Sequence, residues 1–91
     1  GVCGLAASAY HEASGRAMDV YTDLPGVQFY TGNWLGGEKG KDGASYEDRD
    51  AFCFETQMYP DSVNHPQFPS PVVKAGTAHV TRTSYRFYIG K

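Results

Sequence analysis

The chain has 91 residues with 8 basic and 10 acidic side chains, a net charge of -2, so it makes one domain at most and offers no basic patch to a nucleic acid. Leu, Ile, Val and Phe supply only 16 residues, a fraction usual in disordered chains, but the charge is too low for disorder and seven Tyr and one Trp provide the missing apolar area. The uncharged run from Leu24 to Gly37 is interrupted by Pro, Gly, Asn and Gln, which excludes a membrane-spanning helix.

Apolar residues never keep helical spacing for two turns, and β-branched and aromatic residues fall in short runs between Gly, Pro, Asp and Asn. The chain therefore reads as all-β. Leu5 to Tyr10 and Met18 to Thr22 flank Ser14-Gly15, the pattern of an antiparallel hairpin. Pro25-Gly26 signals a turn, because Pro presets φ and Gly accepts a positive φ, and a third strand is expected over Val27 to Thr31.

Gly32 to Arg49 holds five Gly among Lys, Asp and Glu, a long excursion of the kind that is functional or mobile, with Trp34 expected under cover. Ala51 to Gln57 reads as a fourth strand. Pro60, Pro66, Pro69 and Pro71 then stiffen an extended loop that cannot join a central ladder, with Val72-Val73 pairing briefly beyond it. Ala78 to Ile89 reads as the longest strand, with Val80, Tyr85, Phe87 and Ile89 set against Arg82, Ser84 and Arg86 and a slip in the alternation near Thr83.

Sheet packing of these strands gives an antiparallel β-sandwich. Five or six strands with so few aliphatic residues leave open edges and a thin core, so upstream chain is expected to complete the sandwich. Gly1-Val2-Cys3-Gly4-Leu5 has neither a starting Met nor a secretory layout and reads like the middle of a chain. Cys3 and Cys53 are candidates for pairing in an oxidising compartment, but without a wider cysteine framework they read as reduced, buried thiols of a cytoplasmic protein.

In Phe52-Cys53-Phe54-Glu55-Thr56-Gln57, alternation puts Phe52 and Phe54 on one face and Cys53, Glu55 and Gln57 on the other. On a solvated face Glu55 is an outward polar residue; in a cleft it is a candidate general base. Gln28 lies opposite Val27 and Phe29 and offers one acceptor and two donors, to a polyhydroxylated ligand or to a neighbouring backbone group. His11, His65 and His79 lack metal-site spacing, so no metal is expected. The Gly36 to Gly43 stretch lacks the Lys-Ser/Thr ending of a phosphate loop, and no nucleophile elbow occurs. Asp48, Asp50 and Glu55 would suit a glycosidase-like carboxylate pair, although three acids in a polar loop and strand are commonplace.

Two stretches are more specific together than any single residue. Pro25-Gly26-Val27-Gln28-Phe29-Tyr30-Thr31-Gly32-Asn33 and Phe52-Cys53-Phe54-Glu55-Thr56-Gln57, followed by Pro60-Asp61, Asn64, Pro66 and Phe68-Pro69, resemble the aldose 1-epimerase (galactose mutarotase) family. The resemblance runs from Ser14-Gly15-Arg16 through Lys39-Gly40-Lys41 to Tyr85-Arg86-Phe87 and marks the chain as similar to the C-terminal portion of such an enzyme.

That resemblance implies a galactose mutarotase-like β-supersandwich and an isomerase that interconverts the α and β anomers of aldohexoses such as galactose and glucose, without a cofactor. It implies that Glu55 is the general base for the anomeric hydroxyl and Gln28 a sugar-binding residue. The family's acid histidine, with its helper histidine, arginine and aspartate, lies upstream of any matching segment here, and none of His11, His65 and His79 corresponds to it. Tyr59 stands where Trp is usual, and Trp34 where Phe is common. Arg16, Arg49, Arg82 and Arg86 are too scattered to clamp a sugar phosphate. The alternative, drawn from aromatic richness and the Gln28 and Glu55 face, is a non-catalytic carbohydrate-binding or interaction module.

Overall fold

The computed structural model describes residues 2–90. The chain is all-β and antiparallel, with β1 (Gly4–His11), β2 (Arg16–Thr22), β3 (Gly26–Tyr30), β4 (Cys53–Gln57) and β5 (Thr83–Ile89). Single 3-10 turns occur at Lys41–Gly43 and Ser62–Asn64. β2 is the middle strand of a three-stranded sheet with β1 and β5, and β3 and β4 make a two-stranded ribbon.

The β1–β2 turn follows from Gly15, whose φ of 75° suits a residue without a Cβ, while its amide donates to the His11 carbonyl at 2.8 Å. Between Leu5 and Ala7 the ladder shifts by one residue, a bulge that realigns the rest of β1. Register then sorts the side chains: Ala7, Val20 and Tyr85 form one row, and Ala9, Met18 and Phe87 the next, all on one face. Ser8, Asp19 and Arg86 form a row on the opposite face.

The ribbon lays its own apolar face toward the first of these. Val27, Phe29, Phe54 and Thr56 share that face, and Phe52 continues it just before β4. The rings of Phe29, Phe52 and Phe54 pack as a triad with centroids 5.4–5.8 Å apart. Phe52 lines a groove of about 380 Å³ with Ala9, Met18 and Phe87, and the Thr56 and Thr83 hydroxyls meet at 2.8 Å. Two layers thus face each other, with Val20 fully buried in the middle of the central strand.

The core is small. Val20 is its buried apolar residue among those described, Ala17 being buried on the opposite face beside Tyr88, whereas Phe87 and Ile89 remain 73% and 64% exposed on the face that should be interior. The radius of gyration is 16.6 Å, against about 12 Å for a compact chain of this length. The inner face of the three-stranded sheet is therefore only partly covered by the ribbon.

Several boundaries differ from those read in the sequence. The last strand begins at Thr83 rather than Ala78, because the chain from Lys74 to Arg82 runs as a turn and extended coil, held at its end by Asp23, which accepts from the Arg82 amide at 3.0 Å. β4 begins at Cys53 rather than Ala51, and Val72-Val73 joins no strand among the described residues. Trp34 is 84% exposed instead of covered. Cys3 and Cys53, expected to be buried, are half-buried and exposed respectively, since Cys53 sits on the outer side of the ribbon.

Candidate functional site

The ribbon has two chemically different faces because its strands alternate in phase. With the aromatic triad inward, Gln28, Tyr30, Cys53, Glu55 and Gln57 point outward. Gln28 and Glu55 are direct cross-strand partners, and Gly26 and Gln57 form the next pair on that face. Directly opposed side chains in an antiparallel ladder have Cβ atoms about 4.5–5.5 Å apart, so the amide and carboxylate are within reach of one small ligand. Both side chains are exposed, and among the described residues none donates a hydrogen bond to the Glu55 carboxylate.

Loops enclose the two ends of this face. Beyond Gln57, Tyr59 and Pro60 rise beside Gln28 and Gln57 and close a groove of about 310 Å³ that also reaches Gly26. The loop behind them is braced. The Asp61 carboxylate accepts from the Asn64 amide at 2.5 Å and lies 3.1 Å from His65 Nε2, and His65 packs on Phe68 with centroids 5.3 Å apart. At the other end, the Trp34 amide donates to the Tyr30 hydroxyl at 3.3 Å, anchoring the glycine-rich excursion to β3.

That excursion is folded on itself. Gly32 O accepts from the Leu35 and Arg49 amides, and residues 37–46 form a small hairpin with Lys39 paired to Ser45. Asp48 accepts from the Gly36 amide and Asp50 from the Glu47 amide, each at 2.8 Å. Both carboxylates are thus engaged in closing the loop on itself. Among the described residues no three His, Cys, Asp or Glu side chains converge as metal ligands, and no helix is long and apolar enough to cross a membrane.

A family model described as aldose 1-epimerase matches residues 4–86, nearly the whole described chain. The chain belongs to the aldose 1-epimerase family. Galactose mutarotase of Homo sapiens and that of Bos taurus are each 49% identical to it over 84 residues, covering 91% of this chain and 25% of theirs. Aldose 1-epimerase of Escherichia coli (strain K12) is 38% identical over 72 residues, covering 77% of this chain and 21% of its own. The chain thus spans about a quarter of the length of the curated relatives it matches.

Within this aldose 1-epimerase segment, the two residues singled out in the sequence share one ladder rung, while the three histidines stay apart: His11 beside Ser14 in the hairpin turn, His65 in the braced loop and His79 in the coil before β5. Sequence reasoning missed the groove wall at Tyr59, which depends on the distant Gly26 and carries no local signal. It also missed Asp19, buried on the far face of the three-stranded sheet. There Asp19 accepts from Ser8 at 2.8 Å and Tyr88 at 3.1 Å and lies 3.6 Å from Arg86, which stacks over the Tyr88 ring. The Tyr88 hydroxyl is consequently held above its ordinary value of 10.0, first by the bond it donates to Asp19 and then by desolvation and the Asp19 charge, against an opposing effect of Arg86.

Proposed function

We propose that the chain is the C-terminal portion of a single aldose 1-epimerase β-sandwich domain and contributes the base strand to a sugar cleft. The pairing of Gln28 with Glu55 on the outward face of a ribbon carries the reading, because it gives one small ligand both an amide and an unengaged carboxylate. The family membership and the relatives named galactose mutarotase and aldose 1-epimerase support an aldohexose such as galactose or glucose as substrate.

In this reading Glu55 takes the proton from the anomeric hydroxyl while an acid histidine on upstream chain protonates the ring oxygen, breaking the C1–O5 bond. Rotation about C1–C2 presents the other carbonyl face, and on reclosure the O5 proton returns to the histidine while Glu55 gives its proton back to O1, forming the other anomer. Gln28 holds sugar hydroxyls as donor and acceptor. The upstream chain also covers the exposed Tyr85, Phe87 and Ile89 side of the sheet, which explains why an apolar face is left bare.

Polarimetry on fresh α-D-galactose tests the reading in the full-length protein that carries this segment. Glu55→Gln keeps shape and removes basicity, so turnover is expected to fall by at least about 10²-fold while galactose still binds. Near-normal turnover in that variant overturns the assignment, and galactose binding by the 91-residue chain alone, without turnover in either context, favours a binding module instead.

A further inference from the structure

Tyr59 follows β4 by two residues and sits where the ribbon ends. Its ring crosses Gly26: a Cβ at that position would stand 3.1 Å from Tyr59 Cδ1 and 3.3 Å from Cε1. Gly26 is the cross-strand partner of Gln57, so the space left by its missing side chain is occupied by an aromatic face. From behind, Phe68 packs on Tyr59 with ring centroids 5.0 Å apart. The Asp61, Asn64 and His65 contacts fix that loop in turn.

A ring that merely plugged the ribbon end would be covered. Tyr59 instead stays 39% exposed and shares the open groove with Gln28, Gln57 and Pro60. The groove therefore combines two amides with an apolar wall. Its volume, about 310 Å³, lies at the lower end of small-molecule sites. A pyranose has this division of chemistry, with hydroxyls at its rim for amides and a C–H face for an aromatic ring, whose negative face attracts polarised C–H groups.

We infer that Tyr59 is a sugar-binding residue of the site, its ring the wall against which the C–H face of the aldohexose rests beside Gln28. The inference depends on the epimerase reading above. Gly26 and Phe68 set the height and tilt of the ring, and Pro60 lines the groove with it.

The test is steady-state polarimetry with galactose on the full-length protein. Tyr59→Leu keeps an apolar contact to Phe68 and removes the aromatic face, and is expected to raise KM about tenfold. Its kcat should stay within about twofold, the signature of lost binding shared by ground and transition states. Tyr59→Phe and Tyr59→Trp keep the face and should retain a low KM, a rescue that a purely structural role would not require. Gly26→Ala, which pushes the ring without altering it, should shift KM in the same direction as Tyr59→Leu.

An unchanged KM in Tyr59→Leu overturns the inference. Glu55→Gln in the same assay keeps the two readings apart: its inactivity beside an unchanged Tyr59→Leu spares the epimerase and removes only the wall, whereas an active Glu55→Gln removes the epimerase reading. If Tyr59→Leu loses the β-sheet circular dichroism of the wild type, the KM of Gly26→Ala decides.

Discussion

The hydroxyl of Thr56 lies 2.8 Å from that of Thr83, a hydrogen bond between the ribbon and the three-stranded sheet. Thr83 is also 3.3 Å from Thr22 Oγ1, which donates to the Arg82 carbonyl at 3.0 Å. One neighbour along β4, the side chain must point the other way, so the inward bond of Thr56 is what turns Glu55 outward.

Thr56→Val should therefore cost about 1–2 kcal/mol, since Thr83 keeps a partner in Thr22 but the bridge between layers is lost. The double variant Thr56→Val with Thr83→Val should be less destabilised than the sum of the singles, because both remove the same bond. Urea unfolding of the four proteins measures the coupling, and strict additivity would contradict the bridge.

Val20 is the fully buried side chain at the centre of β2. Val20→Ala removes two methyl groups from a site that cannot collapse between two paired strands, and should destabilise by about 2 kcal/mol. Val80→Ala, at a position 74% exposed, should change stability by no more than about 0.5 kcal/mol. Thermal unfolding of the pair distinguishes a core organised on β2 from a uniformly loose one.

Tyr88 makes stability depend on pH at the alkaline end. Its pKa is raised above 10.0 in the folded protein, so folding favours the protonated phenol. The stabilisation is complete below the unfolded value and is lost as pH rises through the higher folded one. Spectrophotometric titration of tyrosinate should show a late-ionising phenol that disappears in Tyr88→Phe and titrates earlier in Asp19→Asn; an unchanged profile in both would contradict the Asp19 bond.

Gly32 closes the long excursion with a φ of 72°, and an added Cβ would stand 2.8 Å from the Ala51 carbonyl oxygen. Gly32→Ala combines strain with a backbone clash and should cost about 1–3 kcal/mol. Gly37, with a φ of 88° but open space around it, should tolerate Ala at about 1 kcal/mol. Comparable losses at the two positions would show that the clash, and hence the close approach of Gly32 to Ala51, is absent.

The parts of the fold legible in the sequence are those set by local rules. Ser14-Gly15 encodes its turn, and the strict alternation from Phe52 to Gln57 encodes which way Glu55 points. Trp34 is exposed because covering an indole depends on tertiary neighbours, and here the loop uses its hydrogen bonds for its own closure through Asp48 and Asp50. The strand expected from Ala78 fails for a related reason. Val80 supplies an apolar residue with the right spacing, but strand pairing needs a partner, and β2 ends at Thr22, opposite Thr83. The groove wall at Tyr59 is long-range too, depending on a glycine thirty-three positions earlier in the chain.

The 22 residues between β3 and β4 all lie in one loop, and this separates two kinds of mutational freedom. Insertions and deletions between Thr31 and Phe52 leave the ladder untouched, so the lineage can lengthen or trim that loop without moving Gln28 away from Glu55. A single residue gained or lost inside a strand has the opposite effect: in β3 it would turn Phe29 out to water, and in β4 it would drive the Glu55 carboxylate toward the aromatic layer. Core and candidate site are thus inherited together, and length variation among relatives should collect in the loop and stay out of the two strands.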